Sequence, residues 1–199
     1  MRKVSSPGSV RLTRRFYSRE TIEVARALLG RTLYHASAEG TTAGRIVEVE
    51  AYLGSVDPGS HAFKGPTPRN RIMFGPAGYL YVYFTYGMHY CANVVTGKEG
   101  AAGAVLLRAV EPLIGLDLMA ERRGTDDKRL LARGPARLSQ AFAFGRDHNG
   151  LDLVDGPAWV GRTTRIKGEI RQTPRIGLKP GMDQPWRFVE KGPWASGKS

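Results

Sequence analysis

The stretch Arg45–Tyr52, RIVEVEAY, decides how the rest of the chain is read. Its composition favours a strand, and side chains along a strand alternate between two faces. Val47, Val49, Ala51 and the following Leu53 then make one wholly apolar face, fit for a core. Glu48, Glu50 and Tyr52, behind Ile46, share the other face. Two carboxylates and a phenol on a hydrophobic strand are costly unless something pairs or uses them. The pattern predicts an acidic reaction centre on the second face of a central strand.

Around this strand, strand signals outnumber helical ones. Ser18–Gly30 carries the marks of a helix: Ser18 as N-cap, Glu20 at the positive end, apolar Ile22, Ala25, Leu28 and Leu29, and Gly30 as the stop. Strands are expected over Thr32–Ala36 and Gly44–Leu53. Residues 54–78, rich in Gly and Pro, read as a long irregular loop that His61, Phe63, Met73 and Phe74 keep packed. Such loops in compact domains are mostly functional or disordered. YLYVYFTY (79–86), a turn at Gly87 and HYCANVV (89–95) form a hairpin, and AVLLRAV (104–110) is a further strand.

Helices are expected near Pro112 and Pro135, each Pro taking a first helical position. Short strands follow at Ala158–Gly161, Arg165–Ile170 and Arg187–Glu190. The expected fold is α+β: a single domain with a mixed, mostly antiparallel β-sheet, surrounding helices and a protruding β-hairpin. That domain covers 18–194, between a basic, flexible N-terminal arm (1–17) and a short tail (195–199).

The 199-residue chain holds 30 Lys and Arg against 18 Asp and Glu, a formal charge of +12 spread along its length. Such a field draws in polyanions, and nucleic acid is the expected partner. No run is long and apolar enough for a membrane-spanning helix. A cationic rather than apolar N-terminus makes a cytoplasmic location the default expectation. Cys91, the single cysteine, excludes internal disulfides. In a strand it reads as a small core residue rather than a nucleophile. His35, His61, His89 and His148 show no metal-ligand spacing, so neither a metal nor another cofactor is expected.

Three features carry candidate chemistry. Tyr79, Tyr81 and Tyr83 alternate with Leu80, Val82 and Phe84, which ordinary sheet packing would explain. Tyr86 at the hairpin tip is harder to explain by packing, and an exposed aromatic there could wedge between base pairs. Arg108 lies in a run hydrophobic enough for a central strand, where a guanidinium needs an anionic partner. Glu50 or Glu48 would satisfy it, in either a structural or a catalytic pair. Asn93 has the same two readings, the structural one being a side chain that simply bonds backbone. With no G-x-S-x-G elbow and no P-loop, a carboxylate acting on water is the best chemical candidate.

The runs RIVEVEAYLG, HAFKGPTPRNRIMF, LYVYFTYGMHYCANVV and VLLRAVEP resemble the 3-methyladenine (alkyladenine) DNA glycosylases of the AAG/MPG type, here in a bacterial form. The resemblance extends from about Ser18 to RFVEKGPW, ending at Trp194. It implies a base-excision repair enzyme acting on alkylated or deaminated purines in double-stranded DNA, as a monomer and without a cofactor. It assigns Glu50 as the general base for the attacking water, with Arg108 and the backbone carbonyl of Ile176 as further holders of that water. Tyr52, His61 and Tyr83 would enclose the extruded base, and Tyr86 would fill the space it vacates. Asn93 would disfavour guanine through its 2-amino group. Arg69 and Arg71 are candidate phosphate contacts, with a solvated basic loop as the competing reading. No lysine stands as a nucleophile, which implies a monofunctional glycosylase. The rival readings are a noncatalytic nucleic-acid-binding module using the same basic surface and hairpin, and a hydrolase of free nucleosides.

Overall fold

The computed structural model describes residues 10–178, 181 and 183–196. Eight strands form one sheet: β1 (Arg31–Ser37), β2 (Gly40–Leu53), β3 (Leu80–Thr85), β4 (His89–Thr96), β5 (Gly103–Ile114), β6 (Ala158–Thr164), β7 (Ile170–Thr173) and β8 (Arg187–Glu190). The order is β3-β4-β5-β2-β1-β6, with β8 joining β2 and β7 joining β8. Every pairing among the described residues is antiparallel. Four short helices, α1 (Arg14–Tyr17), α2 (Thr21–Leu28), α3 (Leu116–Arg123) and α4 (Pro135–Ala141), complete the α+β domain.

Strand β2 is the spine. One edge pairs with β5; the other pairs first with β1, through Gly40–Arg45, and then with β8, through Glu48–Glu50. Val49, Ala51, Val105 and Leu107 belong to the main core, together with Val24 and Leu28 of α2 and Leu138 and Ala141 of α4. The opposite face holds a smaller cluster, Tyr81, Val95 and Ala104 with Ala62 and Met73 from the long loop. The helices thus cover one face, and the loop after β2 covers the other.

Strict alternation fails beside Glu48. The β2–β5 register shifts between Ile46 and Glu48 and again between Glu48 and Val49, so Val47 is extra on β2 and Arg108 is extra on β5. A bulge reverses side-chain parity beyond it. Ile46 and Val110 therefore join the main core with Val49 and Leu107, and Val47 does not. The expected facing of Val47 and Ile46 is corrected accordingly, and Glu48, Glu50 and Tyr52 keep theirs. The paired bulges also bring Arg108 onto the carboxylates.

Other boundaries move for identifiable reasons. The helix expected from Ser18 starts at Thr21, where Thr21, Val24, Ala25 and Leu28 turn inward; Ser18 closes α1 instead, its hydroxyl donating to the Arg14 carbonyl at 3.0 Å. Gly30 ends that stretch with φ 76°, and a Cβ there would lie 2.8 Å from the Arg165 carbonyl oxygen. Pro112 lies in β5, opposite Gly44 at a register shift, where a missing N–H is tolerated, and α3 begins only after Gly115. The strand expected at Arg165–Ile170 is β7, displaced to Ile170–Thr173. Of the supposed arm, Arg11 bridges to Gly161, and Leu12 and Tyr17 are buried in the core. Of the supposed tail, Ala195 and Ser196 are buried. Residues 1–9 and 197–199 lie outside the described residues.

Candidate active site

Glu48 and Glu50 are both fully buried, and their neighbours divide the labour between them. Glu48 sits in a closed cage. Its Oε1 lies 2.7 Å from Arg108 Nε and 2.7 Å from Arg187 Nε, and it also accepts the Ser196 hydroxyl at 2.9 Å; its Oε2 accepts the Ser196 N–H. Glu50 is held more openly. Its Oε1 accepts the N–H of Ile176 at 2.8 Å, and its Oε2 accepts the Tyr52 hydroxyl at 2.9 Å, with Arg108 Nη1 at 3.1 Å. A carboxylate offers about four lone-pair sites. Glu48 accepts four protein donors, whereas Glu50 accepts three.

Arg108 joins the two carboxylates rather than choosing one. Burial alone would lower its pKa, but Glu50 and Glu48 outweigh that and raise it. Burial and the Glu50 charge together raise the Tyr52 pKa, so the phenol keeps its proton and donates it.

Beside this carboxylate lies a small, half-open pocket of about 60 Å³, lined by Tyr52, Gly59, His61, Met73, Tyr81, Tyr83, Asn93 and Leu178. Four aromatic rings, Tyr52, His61, Tyr81 and Tyr83, line it. His61 meets Tyr83 edge-on at 4.5 Å between ring centroids, and its Nδ1 lies 3.0 Å from the Tyr81 hydroxyl. Burial, then the Arg69 charge, lower the His61 pKa, so it presents a neutral imidazole at ordinary pH. Burial raises the Tyr83 pKa. Asn93 does bond backbone, its Nδ2 donating to the Tyr81 carbonyl at 3.1 Å, and it lines the pocket as well. Cys91 is buried beneath this wall, where burial pushes its thiol pKa up and leaves it unreactive.

The β3–β4 hairpin carries Tyr86 away from the pocket, 84% exposed at the tip. Tyr86 and Gly87 both have positive φ, 51° and 68°. For a bulky residue that conformation is strained, and such strain concentrates at functional positions. Arg69 is exposed; its Nη2 donates to the Phe84 carbonyl at 3.0 Å and its guanidinium lies over the Tyr83 ring. Arg71 is exposed.

The structure therefore brings together Glu50, Arg108, Ile176, Tyr52, His61, Tyr83 and Asn93, and sets Tyr86 apart on the hairpin. Ile176 meets Glu50 through its N–H, a contact the sequence reading did not include. Also missed were Asp57, Asn70, Arg187 and Ser196. Asn70 is buried and organises the loop from inside, its Nδ2 donating to the His61 and Gly65 carbonyls. Arg175 is buried against Asp57. Among the described residues no group of His, Cys, Asp or Glu is arranged to hold a metal ion. No helix among them is long and apolar enough to cross a membrane.

The chain belongs to the methylpurine-DNA glycosylase (MPG) family, whose sequence model matches residues 15–193. Its relatives include a protein of Methanoculleus marisnigri, 54% identical and covering 89% of this chain and 93% of its own. Proteins of Chlorobaculum parvum, 49% identical, and Burkholderia cenocepacia, 50% identical, each cover 94% of this chain and 90% of their own. All three carry the name "Putative 3-methyladenine DNA glycosylase".

Proposed function

We propose that this protein is a monofunctional base-excision repair glycosylase that rotates an alkylated or deaminated purine out of duplex DNA and hydrolyses its N-glycosidic bond. The observation that carries the reading is Glu50: fully buried, oriented by Tyr52, Arg108 and the Ile176 amide, and one hydroxyl away from an aromatic pocket. A base within the stack exposes neither its faces nor its glycosidic bond, so it must be extruded at a cost of a few kcal/mol. Stacking on an aromatic ring returns roughly 1–3 kcal/mol per base. Tyr52, His61 and Tyr83 supply the stacking and contact surfaces in the pocket, and Tyr86 occupies the gap left in the duplex.

In the chemical step, Glu50 takes a proton from water as the water oxygen bonds to C1′. The C1′–N bond breaks and the base leaves with its electron pair. Arg108 and the backbone at Ile176 hold the carboxylate and water in line. A cationic base such as 3-methyladenine leaves as a neutral molecule and needs no acid. Its positive charge is also attracted to the aromatic faces. Asn93, which lines the pocket, disfavours guanine by opposing its 2-amino group. The products are a free base and an abasic site, with both DNA strands intact.

The test uses duplexes that carry a single 3-methyladenine, hypoxanthine or ethenoadenine. Strand breaks that appear only after alkali are expected for at least one lesion. Absence of alkali-labile sites from all three contradicts the enzymatic reading, and a borohydride-trapped covalent complex contradicts the monofunctional one.

A further inference from the structure

Behind the Tyr52 ring lies an ion pair for which the proposed reaction has no direct use. The side chains of Asp57 and Arg175 are fully buried and meet twice, Nη1 to Oδ2 at 2.6 Å and Nη2 to Oδ1 at 2.7 Å. The Asp57 oxygens also accept the backbone N–H groups of Leu53, at 3.1 Å, and Gly59, at 2.9 Å. Arg175 donates further to the carbonyls of Ala51, at 3.0 Å, and Gly181, at 2.9 Å. Its guanidinium carbon lies 4.6 Å from the centre of the Tyr52 ring and 5.0 Å from that of Trp186. The next residue along the chain, Ile176, gives its N–H to Glu50.

Desolvation largely offsets the attraction in a buried ion pair, so stability alone is a weak reason for this one. What the pair fixes is register between three segments that converge on the pocket. Arg175 ties the 174–178 segment, which supplies Leu178 to the pocket, to the Ala51 carbonyl between Glu50 and Tyr52. Asp57 ties the same guanidinium to the loop that supplies Gly59 and His61. The planar fork of arginine can hold a carboxylate, two carbonyls and two ring faces at once; a lysine ammonium cannot.

We propose that Asp57 and Arg175 are positioning residues for excision: one bidentate pair sets both the Tyr52 wall against which the extruded base stacks and the Ile176 amide that orients Glu50. This rests on the assignment of Glu50 as the base. It separates the pair from duplex binding in general, because neither side chain reaches the surface. Misplacing reacting groups by about 1 Å can cost roughly 100-fold in rate.

The test compares Arg175→Lys and Asp57→Asn with the wild-type full chain, using near-UV circular dichroism, affinity for undamaged duplex, single-turnover excision and the fluorescence of ethenoadenine in duplex. Folded variants with wild-type affinity for undamaged duplex, excision slowed roughly 100-fold and a weakened stacking signal from ethenoadenine are expected. Excision within twofold of wild type in a folded variant overturns the proposal. So does a loss of excision that merely parallels a loss of undamaged-duplex affinity. If the single variants do not fold, the double variant Asp57→Leu with Arg175→Met replaces the pair by apolar side chains, an exchange that buried ion pairs often tolerate. A folded double variant with wild-type excision overturns the proposal, and one that is slow but binds undamaged duplex normally supports it. Wild-type protein inactive on every lesion would instead remove the glycosylase reading beneath it.

Discussion

Tyr86 stands alone at the hairpin tip, exposed and in a left-handed backbone conformation that its side chain does not favour. Nothing in the fold requires that ring, so its value lies in what it meets outside. Tyr86→Ala should leave thermal stability unchanged and weaken binding of a lesion duplex roughly tenfold, within the worth of one stacked base. Unchanged lesion affinity in an equilibrium titration would remove the plug from the account. Residues of this kind were legible in the sequence, because an aromatic at a turn and a carboxylate in a strand both violate local expectation. Asp57 and Arg175 were not, since 118 positions separate them and each alone is an ordinary loop charge. Ile176 was reached only through family resemblance, because a backbone amide leaves no mark on residue type.

At the scale of elements, β2 and β5 join through paired bulges that no alternation pattern reveals. The carboxylate face was legible from Glu48 to Tyr52, where parity is regular; Ile46 and Val47 lay beyond the bulge and were assigned the wrong sides. The same bulge lets Arg108 bridge Glu48 and Glu50. Glu48 in turn gathers β5, β8 and the segment at Ser196 around one charge. Removing one partner of a buried charge network leaves the others unpaired. Glu48→Ala is therefore expected to cost about 3–5 kcal/mol of stability in urea unfolding. A loss below about 1 kcal/mol would reduce the cage to the standing of a surface ion pair. The role of Glu48 was open in the sequence because its cage comes from three distant segments.

The molecule as a whole combines a basic surface with one buried histidine, His35, packed beside a half-buried one, His148. His35 is buried with its Nδ1 against the Phe142 carbonyl, and its ring lies edge-on to His148. Burial lowers the pKa of both rings below the ordinary value of 6.5. A depressed histidine pKa means that the unfolded chain takes up protons before the folded one does. Stability is then full above about pH 6.5 and falls as pH drops toward the folded-state pKa, by up to about 1.4 kcal/mol per pH unit for His35. Denaturant melts at pH 7.5 and 5.5 should show this decline, and His35→Gln should flatten it; an equal slope in the variant would place the acid sensitivity elsewhere. The fold class and the two-faced central strand followed from local pattern, whereas the termini did not, because Tyr17 and Ser196 are buried by contacts made far along the chain. In the proposed reaction Glu50, and not Glu48 beside it, activates water. Single-turnover excision by Glu50→Gln at saturating enzyme tests it most directly, with lesion affinity measured in parallel. Retained lesion binding with excision slowed roughly 10²–10⁴-fold is predicted; wild-type excision by Glu50→Gln would contradict the account.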